Sequence, residues 1–254
     1  MVITSTGRRK LKGIARQQMK PVPGEKNLQL SAVILARVLG YIEVFDLNPQ
    51  GGVFFPSLVQ EIVRHYNFQK SPQTIEEFDL QKGVEFHEGR AGDKVIQKFV
   101  IWNSLLVLET RSSTADSKKI LEDMLAWGSE KFGLNYRPGM IKRFAYISDL
   151  TFYSEAPLLS VSSALTKLAE KTGELLSVIW QEPVHYESVN LVVGHDPMAR
   201  KYPIAPFTIT RRAEARFSEN KYYSEAPLPT DVHLDMLEQF EKDVLSGCRP
   251  TLSV

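Results

Sequence analysis

Cysteine is nearly missing from this chain: Cys248 is the only one among 254 residues. No intrachain disulfide can form, a composition that fits a reducing compartment. Cys248 has no histidine near it in sequence, so a surface thiol is expected and not a nucleophile. Long hydrophobic runs are missing too. The best stretch, LSAVILARVLGYIEVF, is too short for a membrane span and carries Arg37 and Glu43. The first residues are basic, with no apolar stretch and no small-residue cleavage site, so no secretory signal is expected and a cytoplasmic location is.

The short motifs of common chemistries are absent as well. There is no Gly-x-Ser-x-Gly elbow, no paired cysteines and no His-x-x-x-His spacing. NPQGG at 48–52 lacks the lysine and the glycine spacing of a phosphate-cradling loop, and GRAG at 89–92 reads as a hairpin turn. No cofactor and no metal are therefore expected. Hydrophobic residues make up 43% of the chain, enough for a core that needs no disulfide or metal to hold it.

What is present begins with an uneven charge. The net charge is +1, yet Arg8, Arg9, Lys10, Lys12, Arg16, Lys20 and Lys26 face only Glu25 within residues 1–26. A flexible basic arm of 1–26 is expected, ahead of a mildly acidic body. Such an arm contacts phosphates or acidic surfaces, or simply keeps the chain soluble.

The body reads as alternating strands and helices. Residues 31–47 are rich in β-branched and aromatic side chains and end at turn residues, which predicts a long strand. Leu58, Val59, Ile62, Val63 and Tyr66 recur at helical spacing behind Pro56. GVEFHEGRAGDKVIQKFVIWNSLLVLET predicts consecutive strands with turns near 89–94 and at 103–104. TADSKKILEDMLAWGSEKFG predicts a helix, with Ser113 and Asp116 at its start and Gly133 past its end. A strand at IKRFAYISDLTFYSE and an amphipathic helix at LLSVSSALTKLAEKTGELL follow. Val189, Leu191 and Val193 alternate as a half-buried strand would. PFTITRRAEARF alternates strictly, placing Arg212 and Arg216 together on one polar face with Glu214 between them. The last helix, TDVHLDMLEQFEKDVL, is expected to bury Val232, Met236, Leu237, Phe240 and Val244. Trp102, Trp127 and Trp180 are expected in the core or between lobes.

The hexapeptide YSEAPL occurs twice, at 153–158 and 223–228. A slide of the sequence by that interval also aligns Ala145 with Ala215 and Phe152 with Tyr222, but identity ends beyond Leu158. The element order instead repeats around residue 137, which favours a reused strand-to-helix joint. The expectation is an α+β fold of two halves, 27–137 and 138–254, packed as one compact unit. Each half has antiparallel strands with helices on one face, like paired ferredoxin-like or helix-grip units.

Such a fold fixes no function. The favoured reading is a non-catalytic binding or assembly subunit acting through a protein partner or a second copy of itself. One alternative is nucleic-acid binding through Arg8, Arg9, Lys10, Lys12 and Arg16 of the arm, with Arg212 and Arg216 on the strand. The other is an enzyme whose site would form if His87, His195 and Asp196 converged.

Overall fold

The computed structural model describes residues 28–199 and 204–247. Eight antiparallel strands form a single sheet: β1 (Gln29–Tyr41), β2 (Val84–Ala91), β3 (Lys94–Trp102), β4 (Leu105–Thr110), β5 (Arg143–Tyr153), β6 (Asn190–Val193), β7 (Phe207–Arg211) and β8 (Lys221–Ala226). Five helices accompany them: the single turn α1 (Val44–Leu47), α2 (Phe55–Tyr66), α3 (Thr114–Phe132), α4 (Ser163–Trp180) and α5 (Thr230–Leu245). The architecture is mixed α+β, as the patterning predicts.

Across the sheet the strands run β2-β3-β4-β1-β5-β8-β7-β6. The seam at the middle pairs β1 with β5 along almost their full lengths, from Gln29↔Tyr153 to Tyr41↔Arg143. To either side of it the order mirrors: β1 pairs next with β4, and β5 with β8. The chain order β1-α2-β2-β3-β4-α3 is matched by β5-α4-β6-β7-β8-α5. Period-two alternation sends β5 residues Phe144 and Tyr146 to one cluster and Leu150 and Phe152 to another on the same sheet face.

The first cluster packs Leu58, Val59, Ile62 and Tyr66 of α2 and Ile120, Leu121, Met124 and Leu125 of α3 against Val38, Phe86, Phe99 and Leu108. In the second, Leu237 of α5 covers Leu150, Phe152, Ile209 and Tyr222. Helix α3 starts as expected, with the Ser113 hydroxyl accepting from the Asp116 amide, and stops at Gly133, whose φ of 73° suits a residue without Cβ.

The N-termini of α3 and α5 cap one another. The Thr114 amide donates to Thr230 Oγ1 at 3.0 Å and the Thr230 amide to Thr114 Oγ1 at 2.8 Å, across 116 residues of sequence. The buried pair Leu121 and Leu237 sits seven residues further along the two helices at the same interval. The two YSEAPL segments do not obey it. The first leaves β5 for an irregular stretch before α4, whereas the second closes β8 and runs directly into α5.

Several elements depart from their patterns. The predicted strand 31–47 ends at Tyr41, and Val44–Leu47 turns into α1 where the Val44 amide bonds Asn103 O. The strand expected over 206–217 ends at Arg211, because Glu214 takes a left-handed φ of 69° and Phe217–Glu219 coils into a short 3-10 turn. In α5 the buried residues are Thr230, His233, Leu237 and Glu241, while Val232 and Met236 stand exposed. Phe240 and Val244 are half-buried against the second cluster. Trp127 packs on the first cluster, but Trp180 is 66% exposed, contrary to its expected place in the core or between lobes.

Candidate functional site

Three arrangements could carry function: a buried polar cluster under α5, a charged strip on the sheet face opposite the two core clusters, and an apolar face on α4.

Beneath α5, His233 is fully buried between two serines. Ser224 Oγ donates its one proton to Thr208 O at 2.6 Å, so it must accept from His233 Nε2, 2.8 Å away. Nδ1 is then free to accept from Ser148 Oγ at 2.7 Å. The ring is neutral, and burial pulls its pKa down to about 4. Two helical turns further along, Glu241 accepts from Ser154 Oγ at 2.5 Å and from the Glu155 amide at 2.9 Å, while Tyr222 Oη accepts from the Leu158 amide. Every one of these bonds braces the first YSEAPL segment or the sheet. With no solvent path to the imidazole, the Ser–His–Ser chain holds structure and has no reactant to act on.

On the opposite sheet face, Arg37 pairs with Glu109 at 2.7 Å. Asp149 stands directly across from Glu225 in the β5–β8 ladder. Asp149 is buried and its Oδ1 has no hydrogen-bond partner. Burial raises its pKa, against a hydrogen bond from Tyr223 and the Arg37 charge. Glu225 is raised too, by burial and then by Asp149. Two carboxyls that disfavour each other's ionisation form a strained pair, but among the described residues no group of three His, Cys, Asp and Glu is placed to hold a metal.

Helix α4 differs from its counterpart α2. It follows a Ser162 cap, whose Oγ accepts from the Leu165 amide, and its only buried residue is Gly173. The helix touches the chain where Ser177 Oγ accepts from the Val184 amide at 2.8 Å. None of its side chains joins either core cluster. Leu165, Leu168, Leu175 and Ile179 therefore stand in solvent, Leu168 at 62% and Ile179 at 71% exposure, with Val178 and Trp180 beside them. Nearby in the chain, edge strand β6 exposes Val192 and Val193. Monomeric proteins rarely leave such a contiguous apolar surface uncovered.

The residues singled out by sequence fall elsewhere. His87 lies in β2, bonded to Glu85, while His195 and Asp196 follow β6. Those strands are the two opposite edges of the sheet, seven strand spacings apart or roughly 33 Å, so the three residues do not converge and no site forms from them. Arg212 and Arg216 are both exposed but occupy the turn after β7 and share no strand face. Their neighbour Arg211 is committed to structure: it ion-pairs with Glu187, donates to Phe217 O and stacks over Phe217. Arg8, Arg9, Lys10, Lys12, Arg16 and Cys248 lie outside the described residues. The α4 face was readable in advance, since its leucines recur at helical spacing. Nothing in that spacing told that none of the described residues would cover them.

No family profile matches the chain, and no curated protein is similar to it in sequence. Among the described residues no helix is long and apolar enough to cross a membrane.

Proposed function

We propose that this chain is a non-catalytic binding and assembly subunit that docks a second copy of itself through α4. The uncovered apolar face of α4 carries the reading. Leu165, Leu168, Thr172, Leu175 and Ile179 recur at alternating steps of three and four, the spacing by which one helix seats its side chains between those of another. A stripe of this kind on one helix can meet the same stripe on a second copy across a two-fold axis, the self-complementary contact that a homodimer needs. In this reading the two βαβββα units form a paired arrangement of helix-grip or ferredoxin-like kind, each keeping its helices on one sheet face, with α4 released from that duty for docking.

Light scattering coupled to size exclusion tests it. The wild-type chain is expected to elute as a dimer at micromolar concentration, and Leu168→Glu with Leu175→Glu as a monomer whose far-UV spectrum is unchanged, since neither side chain is buried in the subunit. A wild-type monomer at every concentration would overturn the proposal.

A further inference from the structure

A second apolar surface lies inside the molecule, independent of α4. Between the sheet and the helices of the first core there is a cavity of about 390 Å³. Its floor is Phe99, Ile101 and Leu106 of the sheet, and its walls are Leu58 and Ile62 of α2 with Leu121 and Leu125 of α3. The mouth lies between α1 and the loop that follows, where Phe45 is 67% exposed and Pro49 and Gly51 form the rim. Asn48 shapes that loop by bonding both ends of Val53, its Nδ2 donating to Val53 O and its Oδ1 accepting from Val53 N.

Protein cores pack with few voids larger than a water molecule, and an empty apolar cavity destabilises a fold in proportion to its volume. This one falls within the size range of small-molecule sites. Among the described residues lining it there is no Asp, Glu, Lys, Arg or His. A charged ligand group would lose its hydration there and gain no counter-charge. The only polar side chains are Asn48, already committed to the loop, Tyr66, and the indole of Trp127.

We infer that the cavity between α2, α3 and the sheet is a binding site for an uncharged, lipophilic small molecule that enters beside Phe45. Neutrality is the specific content of the inference: an alkyl chain ending in a hydroxyl fits, and the same chain ending in a carboxylate does not.

The test is a titration of the full chain with 1-aminoanthracene, a neutral fluorescent probe, followed by competition with 1-decanol and with decanoate. The expected result is saturable binding, displaced by decanol at concentrations at least tenfold below those decanoate requires. Leu58→Trp, which fills the cavity, should abolish probe binding while the thermal midpoint holds or rises. Phe45→Lys, a change at an exposed position that leaves the core intact, should narrow the decanol–decanoate gap by giving the carboxylate a partner at the mouth. The α4 variant Leu168→Glu/Leu175→Glu should bind the probe as wild type does, which separates the cavity from the surface face. Absence of saturable binding, equal displacement by decanol and decanoate, or loss of binding in the α4 variant with retention in Leu58→Trp would each overturn the inference.

Discussion

Folding carries His233 from water, where its imidazole titrates near 6.5, into a site where burial pulls it down to about 4. Between those values the unfolded chain holds a proton that the folded chain does not, so this residue's contribution is complete above pH 6.5 and is lost as pH falls toward 4. The full span corresponds to about 3 kcal/mol. Urea midpoints measured across that window should fall with acid in the wild type and fall less steeply in His233→Gln; parallel slopes would show that the imidazole is not the group responsible. Asp149 acts with the opposite sign. Its carboxyl is raised by burial, so the folded state holds the proton more tightly than the unfolded chain, and the residue costs stability above its folded pKa. Asp149→Asn keeps the shape and removes the charge facing Glu225, and should raise the thermal midpoint at neutral pH with a gain that shrinks as pH falls through the carboxylate range. A loss of stability at pH 7 would mean that the charge has a partner worth more than its burial.

At the level of elements, α4 packs closely on the subunit at Gly173. A Cβ on Gly173 would come within 2.7 Å of Val184 O, so Gly173→Ala must push the helix off the Val184–Tyr186 segment. Because α4 lends no side chain to either core, the damage should stay local: faster tryptic cleavage at Lys167 and Lys171 with little change in the global thermal midpoint. A large drop in that midpoint would show α4 to be part of the cooperative unit. The same helix illustrates what a sequence pattern can convey. Periodicity located α2, α3 and α4, and strand alternation located β2 to β5, since those rows of apolar side chains are dictated by backbone geometry. In α5 it found Leu237, Phe240 and Val244 but put Val232 and Met236 inside, because positions that face the sheet are held by His233 and Glu241, which satisfy serine and backbone partners brought close only by the fold. It overextended β7, because alternation in RRAEARF does not reveal that Glu214 accepts a left-handed turn. The α4 face was visible as an apolar stripe, but whether a stripe meets its own sheet or another chain is a tertiary fact. The cavity left no local signal, since its walls come from α1, α2, α3 and the strands β3 and β4.

Across the whole molecule, the reciprocal Thr114–Thr230 caps tie the starts of α3 and α5 together. Each hydroxyl satisfies the first amide of the other helix, so replacing either threonine by valine should cost about 1–2 kcal/mol. The double variant should cost less than the sum of the two, because each single change already orphans one side of the same exchange. Additive losses would show the two caps to be independent. The seam between β1 and β5 has one more consequence, which concerns synthesis. β1 is made before the other described strands, yet it finishes at the centre of the sheet, paired with β4 at Ala36↔Thr110 and with β5 at Ala36↔Ser148. At about 5–20 residues per second, its second partner follows on the order of ten seconds later. Until β4 is made the future middle of the sheet is a strand with two bare edges, and until β5 follows it keeps one, open to the same strand on a neighbouring nascent chain. The two register breaks in β1, between Leu30 and Ala32 and between Val33 and Leu35, interrupt the ladder that such a misencounter on one polysome would need to extend.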